Sequence, residues 1–397
     1  MTRKRFIGFL VTIFATTYVV FSAMVVIPVI GNFYELFGDN LLMVNYIVSG
    51  GLLIAIIANL VGARLMRRVS KRTLLIVGTA VFTVSSSLQV AVLDVAWIAV
   101  MATLTGVGCG LVVVAAPALL SEAYPDEKKR GTMLGWYNAA GAAVGAALSA
   151  VAGVIAAGSG SWTAVYRLYP ISALVLVLAI VFVPRTPTGR ELHEASEAVT
   201  VRERVPFLPM AGLGAAGFVL SLVYMVPVYL IALLVAEKGL GDESVSGLLS
   251  SATTLGSALG CAAFGLIYRR IGRAAATVAF AVMAVSVALL EVTNVGAVAA
   301  GCFLLGVAYG IGFVYYTVRA TAIVHPSRVP DALAVSWAAI NLGGFASTYA
   351  VSAAQNGLGI ATVGGVLPLL LGLVLVATVL SIGFGVRALT IKKAANR

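Results

Sequence analysis

The residues able to do chemistry are few, and most of them sit inside long apolar runs. The two histidines, His193 and His325, fall in polar connecting segments without metal-ligand spacing. Cys109, Cys261 and Cys302 stand singly on separate apolar runs. They form neither a disulfide framework nor a zinc motif, and serve as small apolar fillers. Gly106-x-Gly108-x-Gly110 lies in mid-run and follows no strand, so it is not a nucleotide loop. Glu35, Asp94, Glu237 and Glu291 fall at one set of run ends, and Glu122 at the opposite set, leaving no acid for the apolar middle. Arg319 is the one charge inside a run, about 15 Å from its middle at 1.5 Å per helical residue. There an arginine can snorkel; a gating or structural role is expected first, anchoring of an anionic substrate second. What remains is recognition chemistry. Tyr309, Phe313 and Tyr316, at i, i+4 and i+7, form one helical stripe.

These residues must be positioned by elements that suit lipid. The 397 residues are 61% hydrophobic and 10% charged, and the mean hydropathy is +1.05. A water-soluble domain could not cover its surface with so few charges. A membrane-spanning helix needs about 20 apolar residues, so the apolar content suffices for about twelve. The 42 glycines fit close helix packing in lipid. Twelve spans are expected, near 6–30, 41–61, 73–93, 96–120, 132–157, 164–183, 207–235, 245–264, 274–291, 295–323, 332–356 and 364–387. The first begins after Arg3-Lys4-Arg5 and is too long for a signal-peptide core. Gly141, Gly145, Ser149 and Gly153 recur every four residues in span five, a close-packing face.

Charge sets the orientation. If both termini and the even-to-odd connections share one side, that side holds all but three of the 26 Lys and Arg. The other side holds Arg167 and Lys238, and the third exception is Arg319. The positive-inside rule makes the basic side cytoplasmic. The net charge of +11 therefore reflects insertion and contact with anionic lipid heads rather than nucleic-acid binding. The longest connection, 184–206, divides a bundle at 1–183 from a second at 207–397.

A basic stretch recurs half a chain apart: Ala63-Arg64-Leu65-Met66-Arg67-Arg68-Val69-Ser70-Lys71 and Gly265-Leu266-Ile267-Tyr268-Arg269-Arg270-Ile271-Gly272-Arg273. Each copy joins two apolar runs, the mark of a duplicated helical membrane protein. With Arg72 the first copy resembles the 2–3 loop of the major facilitator superfamily, Gly-x-Leu-x-Asp-Arg-x-Gly-Arg-Arg. Glu122-Ala-Tyr-Pro125 with Arg130-Gly131 resembles that family's 4–5 loop, and Trp162, Tyr166 and Pro170 the entry to its sixth helix. Departures accompany the likeness. Arg67 and Arg269 stand where the family places a loop acid, so Arg67 near Arg130 would repel unless Glu122 or Asp126 intervenes. Ala102 replaces the arginine common in span four of proton-linked members, and Ala146 the proline of the antiporter span-five pattern.

The resemblance implies an all-α integral membrane protein: twelve transmembrane helices in two pseudo-symmetric six-helix bundles. Spans 1, 4, 7 and 10 would line a central cavity, with 2, 5, 8 and 11 at its sides. The residues on those spans suited to a ligand are Tyr18 and Ser22, Asn138, Tyr224 beside Pro227, the stripe Tyr309, Phe313 and Tyr316, and Trp337 one turn before Asn341. Phenols and amides among apolar side chains suit a small, partly apolar organic solute; helix packing is the competing role. Arg67, Glu122, Arg130, Arg269 and Arg319 are the gating candidates. The expected function is secondary active or facilitative transport by alternating access. Export is slightly favoured over an uptake permease or exchanger. A membrane receptor or membrane enzyme is the alternative of another class. No cofactor, metal, nucleic acid or oligomeric partner is expected, and the location is the inner (plasma) membrane.

Overall fold

The computed structural model describes residues 3–66, 68–124, 126–184, 207–324 and 329–395. Among them the structure is helical and no strand forms. The chain divides into two compact units, Met1–Val201 and Arg202–Arg397. All but the first residue of the 184–206 connection lies outside the described residues. The first unit carries α1 (Arg3–Val20), α2 (Ile30–Phe37), α3 (Leu41–Leu65), α4 (Lys71–Leu88), α5 (Val95–Ala123), α6 (Glu127–Ser159) and α7 (Ser172–Phe182). The second carries α8 (Phe207–Glu237), α9 (Glu243–Ile271), α10 (Ala275–Glu291), α11 (Val295–Ala322), α12 (Val329–Leu358) and α13 (Leu367–Ala395).

Every expected span has a helical counterpart, but two are not simple rods. The first breaks after Val20 into short 3-10 turns at Ser22–Val25 and Ile27–Val29, the latter holding Pro28, which has no N–H to donate. Hydroxyls tighten the approach to the break: Thr16, Thr17 and Ser22 donate to carbonyls three residues back, at 2.6, 2.6 and 2.8 Å. The sixth starts as a 3-10 segment, Trp162–Ile171, with Pro170 near its end, before α7 begins.

Membership in lipid requires every polar group to find a partner within the helix or its neighbour. Helix α4, rich in Ser and Thr, approaches this by back-bonding: Thr79, Thr83, Ser85 and Ser86 donate to carbonyls four residues earlier, while the Ser87 hydroxyl is buried without a partner among the described residues. Helix starts are capped by side chains as well. Ser70, Asp94, Asp126, Asp242 and Asn294 accept from the first-turn amides of α4, α5, α6, α9 and α11.

In each unit one long helix is packed by two neighbours: α5 by α3 and α4, α11 by α9 and α10. Glycine makes this possible. On α5, Gly106 and Gly110 lie against the backbone of α3 at Gly51 and Ala55, while Gly108, on another face, meets Gly78 and Phe82 of α4. On α11, Gly306 and Gly310 meet the carbonyls of Thr253 and Ser257, and Gly256 and Gly260 of α9 meet those of Phe303 and Val307 in return. A β-carbon at any of these four positions would strike backbone. In span five, Gly141 and Gly145 make room for the ring of Phe21, at the break in span one.

Among the described residues, eight stretches are long and apolar enough to cross a membrane, two of which, Ser22–Ala58 and Glu243–Glu291, run through more than one helix. Helices α1, α4 and α12 fall outside the eight. Lys71, Arg72 and the hydroxyl residues dilute the apolar content of α4.

Candidate functional site

The aromatic residues singled out in the second unit meet. Tyr224 of α8 stacks on Tyr309 of α11, with ring centroids 3.9 Å apart and planes 10° from parallel. Tyr309 continues to Phe313 at 5.9 Å, and Phe313 to Trp337 of α12 at 5.8 Å. One end is buried, at Tyr224, 7% exposed; the other is open, at Trp337, 42% exposed. The Tyr309 hydroxyl is hydrogen-bonded to Ser221, one turn before Tyr224. Asn341 donates its amide to the Trp337 carbonyl at 2.9 Å. The helices carrying these rings are held by backbone contacts: α11 by the glycine faces shared with α9, α8 and α12 where Gly343 meets the Phe218 carbonyl. Tyr316 does not join this row; its ring contact is the edge of Tyr315, 5.3 Å away.

In the first unit the expected residues gather at the break in span one. Tyr18 donates to the Leu168 carbonyl at 2.6 Å, and Ser22 to the Val19 carbonyl. Tyr169 donates to the Ser22 carbonyl at 3.3 Å. Both Tyr18 and Ser22 thus have their protons committed to main chain and offer only acceptor capacity. Asn138 is exposed on α6, beside Tyr137, whose hydroxyl meets Thr16 at 3.1 Å.

Glu122 is ion-paired with Lys71, which the loop pattern did not single out. Arg67 and the side chain of Arg130 lie outside the described residues. Arg269 is exposed in the last turn of α9, where a cation complements the helix end. That helix closes on Gly272, whose φ of 53° suits glycine, whereas the matching Ser70 in the first unit caps α4 instead. Arg319 sits in the last turn of α11, partly buried. Glu35, Asp94, Glu122, Glu237 and Glu291 are all exposed.

A clamp that sequence reasoning missed follows α8. Glu237 accepts from the amides of Val363 and Gly364 at 2.8 and 3.1 Å, ahead of α13. Its neighbour Lys238 donates to the carbonyls of Leu290 and Val292 at 2.6 and 3.2 Å, closing α10. Partial burial lowers the Lys238 ammonium from its ordinary value, opposed by Glu237 and Glu291. The signal available in sequence was an adjacent acid–base pair at a helix end.

The family model described as Major Facilitator Superfamily matches residues 7–348. The chain belongs to this superfamily. It is therefore a multi-pass membrane transporter and not an enzyme. Solved structures share the fold. A D-xylose-proton symporter is 17% identical with a TM-score of 0.71, covering 94% of this chain and 96% of that one. A nucleoside transporter is 13% identical with a TM-score of 0.72, covering 96% and 98%. In sequence, the chain is 29% identical over 145 residues to the methylenomycin A resistance protein of Bacillus subtilis (strain 168). That match spans 36% of this chain and 31% of the relative.

This superfamily member also has a cavity of about 690 Å³ inside the second unit, lined by α8, α10, α11 and α13. Tyr316 and Arg319 are on its wall.

Proposed function

We propose that this superfamily transporter moves a small, partly apolar organic solute by alternating access between two six-helix bundles, twelve spans in all. The supporting observation is the aromatic row Tyr224–Tyr309–Phe313–Trp337, buried at one end and open at the other. Such a row offers flat apolar faces with a phenol and an indole for orientation. Tyr18, Ser22, Asn138 and Asn341 would supply polar contacts, and Tyr316 would lie below the row. The Lys71–Glu122 pair, with Arg67, Arg130, Arg269 and Arg319, would serve the gate. Export is the favoured direction, supported by the relative named as a resistance protein. The absence of a buried carboxylate among Glu35, Asp94, Glu122, Glu237 and Glu291 favours facilitated diffusion or exchange over obligatory proton coupling. The protein would act as a monomer in the inner membrane with both termini cytoplasmic.

The test is a solute panel on detergent-purified protein, read as thermal stabilisation, because a ligand of the folded state raises its apparent stability. Partly apolar solutes should stabilise the protein and then cross proteoliposome membranes. Stabilisation only by highly polar sugars would contradict the reading.

A further inference from the structure

The cavity in the second unit carries two cations without an acid. Its lining holds Arg273 and Arg319 and no carboxylate. Among the described residues, neither guanidinium forms a salt bridge; the ion pair present joins Lys71 and Glu122. Both share the cavity wall with Tyr315. Ser381, also on the wall, donates to the Thr378 carbonyl at 2.7 Å and has the Thr277 hydroxyl at 3.0 Å, so its proton is committed. Recognition of a charged ligand thus falls to the two arginines, whose forked donors match phosphate oxygens.

The rest of the wall is apolar and graded in depth. Phe280 and Tyr316 form its buried side, at 2% and 4% exposure. Leu208 and Leu380 mark its mouth, at 80% and 58%. The mouth continues along α13 into Val376 and Val379, also exposed and apolar. In a membrane protein such a face meets lipid. A ligand entering there comes from the bilayer, and its charge would stop at the level of Arg273, which follows the end of α9 on the basic side of the chain.

We infer that this cavity binds an anionic phospholipid, with the phosphate between Arg273 and Arg319 and an acyl chain between α8 and α13. The site lies within one unit and does not depend on the identity of the transported solute.

The experiment uses the full-length purified protein with three probes. These are phosphatidylglycerol, phosphatidylcholine with the same acyl chains, and glycerol 3-phosphate as the chainless head. Binding is read by native mass spectrometry and by thermal shift. Phosphatidylglycerol should bind and stabilise, phosphatidylcholine much less, and glycerol 3-phosphate negligibly. R273Q and R319Q should each weaken phosphatidylglycerol binding about tenfold, the scale of one charge-assisted hydrogen bond. Arg273 is exposed, so R273Q reads the loss even if the R319Q variant folds poorly. Equal binding of the two lipids, or full retention by R273Q, would overturn the proposal. Saturation by glycerol 3-phosphate alone would replace the lipid by a soluble anion. Loss of solute flux with lipid binding intact would refute the transport site and leave this one standing.

Discussion

Tyr309 makes two contacts at once: its ring lies on Tyr224 and its hydroxyl meets Ser221. Replacing it separates them. Tyr309→Phe should retain most affinity for an identified solute. Tyr309→Ala or Tyr224→Ala should lose about 1–3 kcal/mol of binding, roughly 5- to 150-fold. Titration calorimetry on purified variants decides this, and wild-type affinity in both alanine variants would make the row mere packing. Glu237 offers a second test at this scale. Its exposed carboxylate caps the approach to α13, so Glu237→Gln should cost about 1 kcal/mol or less, read as a small fall in Tm. An unchanged Tm would show that the cap carries nothing. Spacing alone placed Tyr309 and Phe313 on one face, because helical periodicity is local. It also put Tyr316 there, but that ring meets Tyr315 and not the row. The partner of Glu122 was not legible, since several basic residues share that loop and their spacing does not say which of them pairs with it.

At the scale of elements, the glycines of α9 and α11 set how closely the row can be held. Gly306→Ala should destabilise the protein by about 1–3 kcal/mol, because the added carbon would meet the Thr253 carbonyl, which cannot move aside. Gly372→Ala on α13 meets nothing within 4 Å and should be neutral or slightly stabilising. Denaturation of the two variants in matched detergent checks the contrast; equal stability would remove the packing argument. The matching glycines of α5, Gly106-x-Gly108-x-Gly110, were legible in the sequence as a mid-helix motif but not as a contact. Which neighbour a glycine faces depends on helix rotation. The break after Val20 was missed for a related reason: an unbroken apolar run hides the hydroxyl back-bonds and Pro28 that bend it.

For the whole molecule, composition and the repeated basic hairpin made the helical membrane class and the superfamily legible, because lipid insertion constrains composition more tightly than any site does. The span count was less secure, since α4 hides its polarity through back-bonding that hydropathy cannot register. Orientation is open to a simple check. A cysteine at Lys238 should react with an impermeant thiol reagent applied to intact cells, and one at Lys129 should not; the reverse would invert the topology. The most direct test of alternating access is counterflow in proteoliposomes, using a solute found by the panel. Preloading with unlabelled solute should accelerate entry of labelled solute, with the rate cut by Tyr309→Ala. Saturable binding with no transmembrane exchange would contradict the account.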